Sequence, residues 1–258
     1  MKRIFNIWAL SLIICSACHA ASDKSHSTIA LLGDSMTWIG GDECQNERGW
    51  SHFLKKAFPD ASIKVYARSG ATWTNTRDTN GNPDVYYDVL DDENVVYNQV
   101  LSLIRDAGKN PALSPDIIIL YAGANDAWFE KKRPGIFDDI ALPQGSVDNC
   151  KPSDFTSLPS SIQLASRKLR EHFPDARIIL MTPVEMTKVP ASKINQIGDI
   201  IEKTGTELGL EVLRADKNVD IRHDQEAKKL QHTSDGVHTN SKGAVLIADF
   251  VIDYLSNN

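Results

Sequence analysis

The chain has 258 residues, 41% hydrophobic and 24% charged, which is ordinary for a soluble globular protein and is read here as one domain. Its formal net charge of −6 argues against nucleic acid or an anionic membrane surface as the main partner.

Residues 1–20 read as a secretory signal: Lys2 and Arg3, an apolar stretch over residues 4–15, then the small residues Ser16, Ala17 and Ala20. The apolar stretch is too short to span a bilayer. Two cleavage sites compete, one after Ala20 and one before Cys18, as in bacterial lipoproteins. Residues 21–27 are then a linker and residues 28–258 the working domain. The expected location is outside the cytoplasm: periplasmic, extracellular, or held to a membrane by an N-terminal lipid. Removal of Lys2 and Arg3 makes the balance more acidic still. Of the four cysteines, Cys15 and Cys18 belong to the leader, which leaves Cys44 and Cys150 in an oxidising compartment. A disulfide between them is expected, with two unrelated buried thiols as the alternative.

Apolar runs bounded by turn residues predict strands over residues 28–32, 62–67, 116–121, 177–181 and 210–214. Helical periodicity falls between and after them, over residues 48–58, 94–107, 160–173, 191–208 and 241–255. Strands alternating with helices of this length predict an α/β fold with a five-stranded parallel sheet covered on both faces. Two segments break the alternation, residues 74–92 and 127–158. Long loops of this kind are candidate substrate walls, or mobile surface.

In an open α/β sheet, ligands bind outside the carboxyl ends of the strands. Gly33-Asp34-Ser35 follows the first predicted strand, Ser69-Gly70 the second, and Gly123-Ala124-Asn125-Asp126 the third, so the three loops meet at one edge. Asp235-Gly236-Val237-His238 places an acid and an imidazole three residues apart near the C-terminus. Acyl transfer needs a nucleophile, a base, a group that orients the base, and donors aimed at the developing oxyanion. Ser35, His238 and Asp235 can fill the first three roles. The donors would be the backbone N–H of Ser35, the backbone N–H of Gly70 and the side-chain amide of Asn125. Asp34 has a simpler reading as a helix cap, and Asp126 as a brace for its loop. His52, His172, His223 and His232 read as surface or packing residues. No histidine and acid cluster has a zinc-ligand spacing, so neither a metal nor another cofactor is expected.

Those four blocks, in that order, resemble the SGNH (GDSL-type) hydrolase family over residues 28–255. Met36 stands where the family name has leucine, a swap of similar volume. The resemblance implies a three-layer α/β/α sandwich with a flavodoxin-like sheet, metal-free ester hydrolysis through an acyl-enzyme, and the residue roles given above. The absence of a Gly-x-Ser-x-Gly elbow argues against the α/β-hydrolase fold.

Three tryptophans each follow a block by three residues: Trp38, Trp73 and Trp128. Flat faces with a polar edge suit stacking on a sugar ring or holding an acyl chain, although packing of the loops would also account for them. The expected substrate is a small-molecule or glycan ester, with a short acyl group such as acetyl on a carbohydrate. Lipid acyl ester hydrolysis and acyl transfer to a glycan are the alternatives.

Overall fold

The computed structural model describes residues 27–75, 95–133, 135–138 and 152–258. Five strands, β1 (Thr28–Gly33), β2 (Ser62–Val65), β3 (Ile117–Tyr121), β4 (Arg177–Met181) and β5 (Glu211–Leu213), form one parallel sheet in the order β2-β1-β3-β4-β5. Parallel neighbours need crossover connections. Here the long helices α2 (Trp50–Ala57), α3 (Val96–Lys109), α5 (Leu158–His172) and α6 (Ala191–Glu207) lie between successive strands, and α9 (Ser241–Asn257) follows the last. Short helices α1 (Ser35–Trp38), α4 (Ala124–Trp128), α7 (Ala215–Asn218) and α8 (His223–Lys228) fill the turns.

The central strands β1, β3 and β4 are buried on both faces, and their side-chain alternation sorts the core into two halves. Ala30, Leu32, Ile118 and Leu120 pack with α3, α5 and α6, whereas Ile29, Leu31, Ile119 and Tyr121 pack with α2 and α9. The result is the expected three-layer α/β/α sandwich. Burying a Leu or Ile side chain fully is worth about 1.5–3 kcal/mol, so these strands supply much of the driving force for folding.

All five strands and all five long helices lie where hydrophobic periodicity predicts them, with differences at the ends. α5 begins at Leu158, with Ser157 as its cap and Pro159 in its first turn, where a missing N–H leaves no helical bond unmade. The four short helices carry too few residues to show a period. The chain leaves β1 for β2 on one side and then crosses to β3 on the other, so the switch point lies between the carboxyl ends of β1 and β3.

Candidate active site

At the end of β1, Gly33 adopts φ 141°, and a Cβ there would lie 2.0 Å from the carbonyl oxygen of Tyr121 on β3. Only glycine fits this position. Its backbone is gripped by the buried carboxamide of Gln99 on α3: the Gly33 N–H donates to Oε1 at 2.7 Å, and Nε2 donates to the Gly33 carbonyl at 2.9 Å. Asp34 then caps α1, accepting from the Met36 N–H at 3.0 Å. Burial pushes the Asp34 carboxyl up to about 7, with the Met36 N–H pulling against that and the nearby Asp126 adding to it. Ser35 is therefore delivered at the first position of a short helix by fixed backbone. Its N–H donates to no other group among the described residues.

Ser35 and His238 are 203 positions apart in the chain, and the fold brings Ser35 Oγ to 3.1 Å from His238 Nε2. His238 Nδ1 lies 2.7 Å from Asp235 Oδ2, while the other oxygen, Oδ1, accepts the N–H groups of Val237 at 2.9 Å and His238 at 2.7 Å. Burial raises the Asp235 carboxyl, but the bonds from the His238 imidazole and the His238 and Val237 N–H groups outweigh it and hold the acid below its ordinary range. An ionised Asp235 accepts from Nδ1–H, which leaves Nε2 free to accept the Ser35 hydroxyl proton. Alcohol, imidazole and carboxylate thus stand in series.

In the loop after β2, Gly70 adopts φ 82° with open space around it, so conformation rather than room calls for glycine. The Gly70 N–H also donates to no other group among the described residues. Asn125, on the first turn of α4 beyond β3, donates one amide hydrogen from Nδ2 to the Ala71 carbonyl at 2.9 Å. Its second amide hydrogen remains. Asp126 is fully buried and accepts from the Trp73 N–H (2.9 Å), the Thr74 N–H (2.9 Å) and the Thr74 hydroxyl (2.7 Å). It braces the loop that follows Gly70, rather than its own loop, and has no bond to His238.

This constellation spans four loops of one sheet edge, and a sequence model of the GDSL-like lipase/acylhydrolase family matches residues 31–246. The chain belongs to that family. It is a GDSL-type carboxylic ester hydrolase. No curated protein matches it at the level of sequence. Its fold is similar to that of an acetyl xylan esterase, AlAXEase, with 16% identity, TM-score 0.57, and coverage of 88% of this chain and 99% of that one. A protein from Lactobacillus plantarum superposes with TM-score 0.60 at 15% identity, covering 91% and 98%. A member of the lipolytic G-D-S-L family from Veillonella parvula does so with TM-score 0.54 at 12% identity, covering 90% and 100%. At these identities the likeness is one of fold.

In this GDSL-type hydrolase the three tryptophans separate. Trp38 and Trp128 are 46% and 42% exposed, and Trp128 stacks on Phe129 with ring centroids 5.9 Å apart. Trp73 is 1% exposed and belongs to the core; its indole N–H donates to the Ala122 carbonyl at 3.1 Å while Asp126 holds its backbone N–H. The expectation that Trp73 meets substrate is therefore corrected: a fully buried indole has no face to offer.

The disulfide expectation joins Cys44 to Cys150. Cys44 is buried, has no sulfur partner among the described residues, and packs in the core half that contains Met36 and Trp50 as a small hydrophobe would. Cys150 lies outside the described residues, as do the leader and most of the two proposed substrate loops. The other four described histidines make no contact with Ser35: His52 Nδ1 pairs with the Cys44 carbonyl, His172 Nδ1 with the Lys168 carbonyl and His223 Nδ1 with the Met186 carbonyl, while His232 lies beside Glu226. Among the described residues no group of His, Cys, Asp and Glu could hold a metal ion. Sequence reasoning missed Gln99, Glu226 and Thr187. Gln99 and Thr187 support the site from elements distant in the chain and Glu226 from the short helix just before the Asp235–His238 loop, and no local pattern marks any of them.

Proposed function

We propose that this enzyme removes short acyl groups, acetyl above all, from carbohydrate esters outside the cytoplasm. Ser35 Oγ attacks the ester carbonyl as His238 Nε2 takes its proton, and ionised Asp235 holds the imidazole in the tautomer this requires. The oxyanion is received by the N–H groups of Ser35 and Gly70 and by the free amide hydrogen of Asn125. Collapse of the tetrahedral intermediate expels the alcohol, protonated by His238, and leaves an acyl-serine. Water, deprotonated by His238, then attacks that acyl group and releases the acid.

The observation that carries this reading is the Ser35–His238–Asp235 series, with contacts of 3.1 and 2.7 Å. The carbohydrate part is supported by the exposed faces of Trp38 and Trp128 in the loops after β1 and β3, and by the acetyl xylan esterase among the structural relatives. Export is supported by the composition of residues 1–20. The test compares acetylated xylo-oligosaccharides with long-chain acyl esters, using the wild type and Ser35→Ala. Release of acetate by the wild type alone supports the reading, and hydrolysis confined to long acyl chains overturns it.

A further inference from the structure

The segment that carries Asp235 and His238 joins α8 to α9 and is neither helix nor strand. Bonds within the segment set its internal shape: Ser234 N–H donates to the His238 carbonyl at 2.8 Å and Asn240 N–H to the His232 carbonyl at 2.9 Å. A different set of bonds places that shape in the domain: the Arg48 guanidinium donates to the Ser234 hydroxyl at 2.8 Å, the Thr239 hydroxyl donates to the Arg48 carbonyl at 2.6 Å, and Glu226 on α8 holds the stretch that leads into Asp235. The Glu226 carboxylate is buried, and three consecutive N–H groups converge on it, from Gln231 (3.2 Å), His232 (2.9 Å) and Thr233 (3.1 Å). The Thr233 hydroxyl donates to the same carboxylate at 2.5 Å.

Burial alone would raise this acid, but the Thr233 hydroxyl and the three N–H groups outweigh it and keep the carboxyl below its ordinary range. Among the described residues Glu226 forms no ion pair with lysine or arginine; the His232 imidazole lies 3.3 Å away. A buried carboxylate is tolerated only where donors are aimed at it, and here nearly all the donors come from one short stretch of loop. The Thr233 hydroxyl also accepts from the Gly236 N–H at 3.1 Å. Gly236 follows Asp235, and its carbonyl accepts from the Thr187 N–H at 2.8 Å. The tie therefore runs from Glu226 through Thr233 to the peptide that separates the acid from the imidazole.

We propose that Glu226, acting through Thr233, is a positioning residue for ester hydrolysis that sets the placement of the Asp235–His238 pair relative to Ser35. The proposal rests on Asp235 and His238 serving as acid and base. Because the bonds within the loop do not involve Glu226, its loss shifts the pair as a unit: the imidazole keeps its carboxylate and loses its alignment with the serine hydroxyl. Misplacement by about 1 Å can cost on the order of 100-fold in rate.

The experiment measures hydrolysis of p-nitrophenyl acetate by the full chain in the wild type, Glu226→Gln, Thr233→Val, Thr233→Ser and Ser35→Ala. Rates are expressed per site titrated to completion with a fluorophosphonate, and folding is followed by thermal melting. Expected results are a fall in kcat of about 10- to 100-fold for Glu226→Gln and Thr233→Val with KM unchanged, and near wild-type kcat for Thr233→Ser, which keeps the hydroxyl. Unchanged kcat per site in the first two, a change in KM alone, or Thr233→Ser impaired like Thr233→Val would each overturn the proposal. If Glu226→Gln does not fold, the two Thr233 variants decide by the same criteria. Ser35→Ala retaining hydrolysis would overturn the reading of the site and this proposal with it; Ser35→Ala inactive beside a normal Glu226→Gln overturns the positioning role alone.

Discussion

The carboxamide of Asn125 is bonded to the Ala71 carbonyl at 2.9 Å, so one side chain joins the loop after β3 to the loop that carries Gly70. Two proposed oxyanion donors are thereby held at a fixed spacing. Asn125→Ala removes a donor and the strut together, and kcat should fall by about 100- to 1,000-fold, or roughly 3–4 kcal/mol. Steady-state kinetics on p-nitrophenyl acetate reads this directly, and near-normal turnover would refute the oxyanion assignment.

Burial raises the Asp235 carboxyl, but the bonds from the His238 imidazole and the His238 and Val237 N–H groups hold it below its ordinary range, so it works as a carboxylate. In Asp235→Asn the amide cannot stabilise the working tautomer, and kcat should drop by up to about 10,000-fold. Near-normal kcat in Asp235→Asn, measured on p-nitrophenyl acetate, would contradict the orienting role.

Asp34 behaves in the opposite sense. Its folded pKa of about 7 exceeds the ordinary carboxyl value of 3.8, so the native state holds a proton that the unfolded chain has released. The resulting stability is full below the unfolded pKa and is lost as pH rises to about 7. Asparagine caps helices as well as aspartate does and carries no such proton. Asp34→Asn should flatten the decline of Tm with pH over this window, as followed by calorimetry; an equally steep decline would show that Asp34 is not its source.

The two exposed tryptophans and the buried one should respond differently. Trp38→Ala and Trp128→Ala are expected to raise KM for acetylated oligosaccharides while leaving p-nitrophenyl acetate turnover nearly unchanged. Trp73→Ala empties part of the core and should destabilise the fold by about 3–5 kcal/mol. Paired kinetics and chemical denaturation separate the two classes; a Trp38 variant that only lost stability would end its assignment to substrate.

Cys44 is a buried thiol with its pKa raised, mainly by burial. Reductant should leave Tm unchanged, and a thiol reagent should label Cys44 only on unfolding. A drop in Tm on reduction would show instead that Cys44 is bridged.

Much of this was legible in the sequence because it depends on period and order. The run Ile117–Tyr121 reads as a central strand since both of its faces are buried, and the four blocks announce themselves because each follows an apolar run or pairs an acid with an imidazole at short range. What stayed hidden depends on tertiary burial. Nothing local distinguishes Trp73 from Trp38, yet the peptide of one is pinned by Asp126 and the ring of the other stands in solvent. Gln99 lies within an ordinary helical pattern and Glu226 in a helix too short to show one, and their roles exist only once Gly33 and Thr233 are brought to them.

The grip of Gln99 on Gly33 has a mechanical meaning. A carboxamide presents the same donor and acceptor pair as a peptide group, so just past the end of β2 this side chain adds a strand-like pair of bonds to the one that the Gly33 carbonyl accepts from the Arg68 N–H at 3.0 Å. The sheet gains one more rung, and Ser35 stands on it. The attacking oxygen thus inherits the stiffness of the sheet rather than the compliance of a loop, and changes in the surrounding walls can retune substrate preference without moving it.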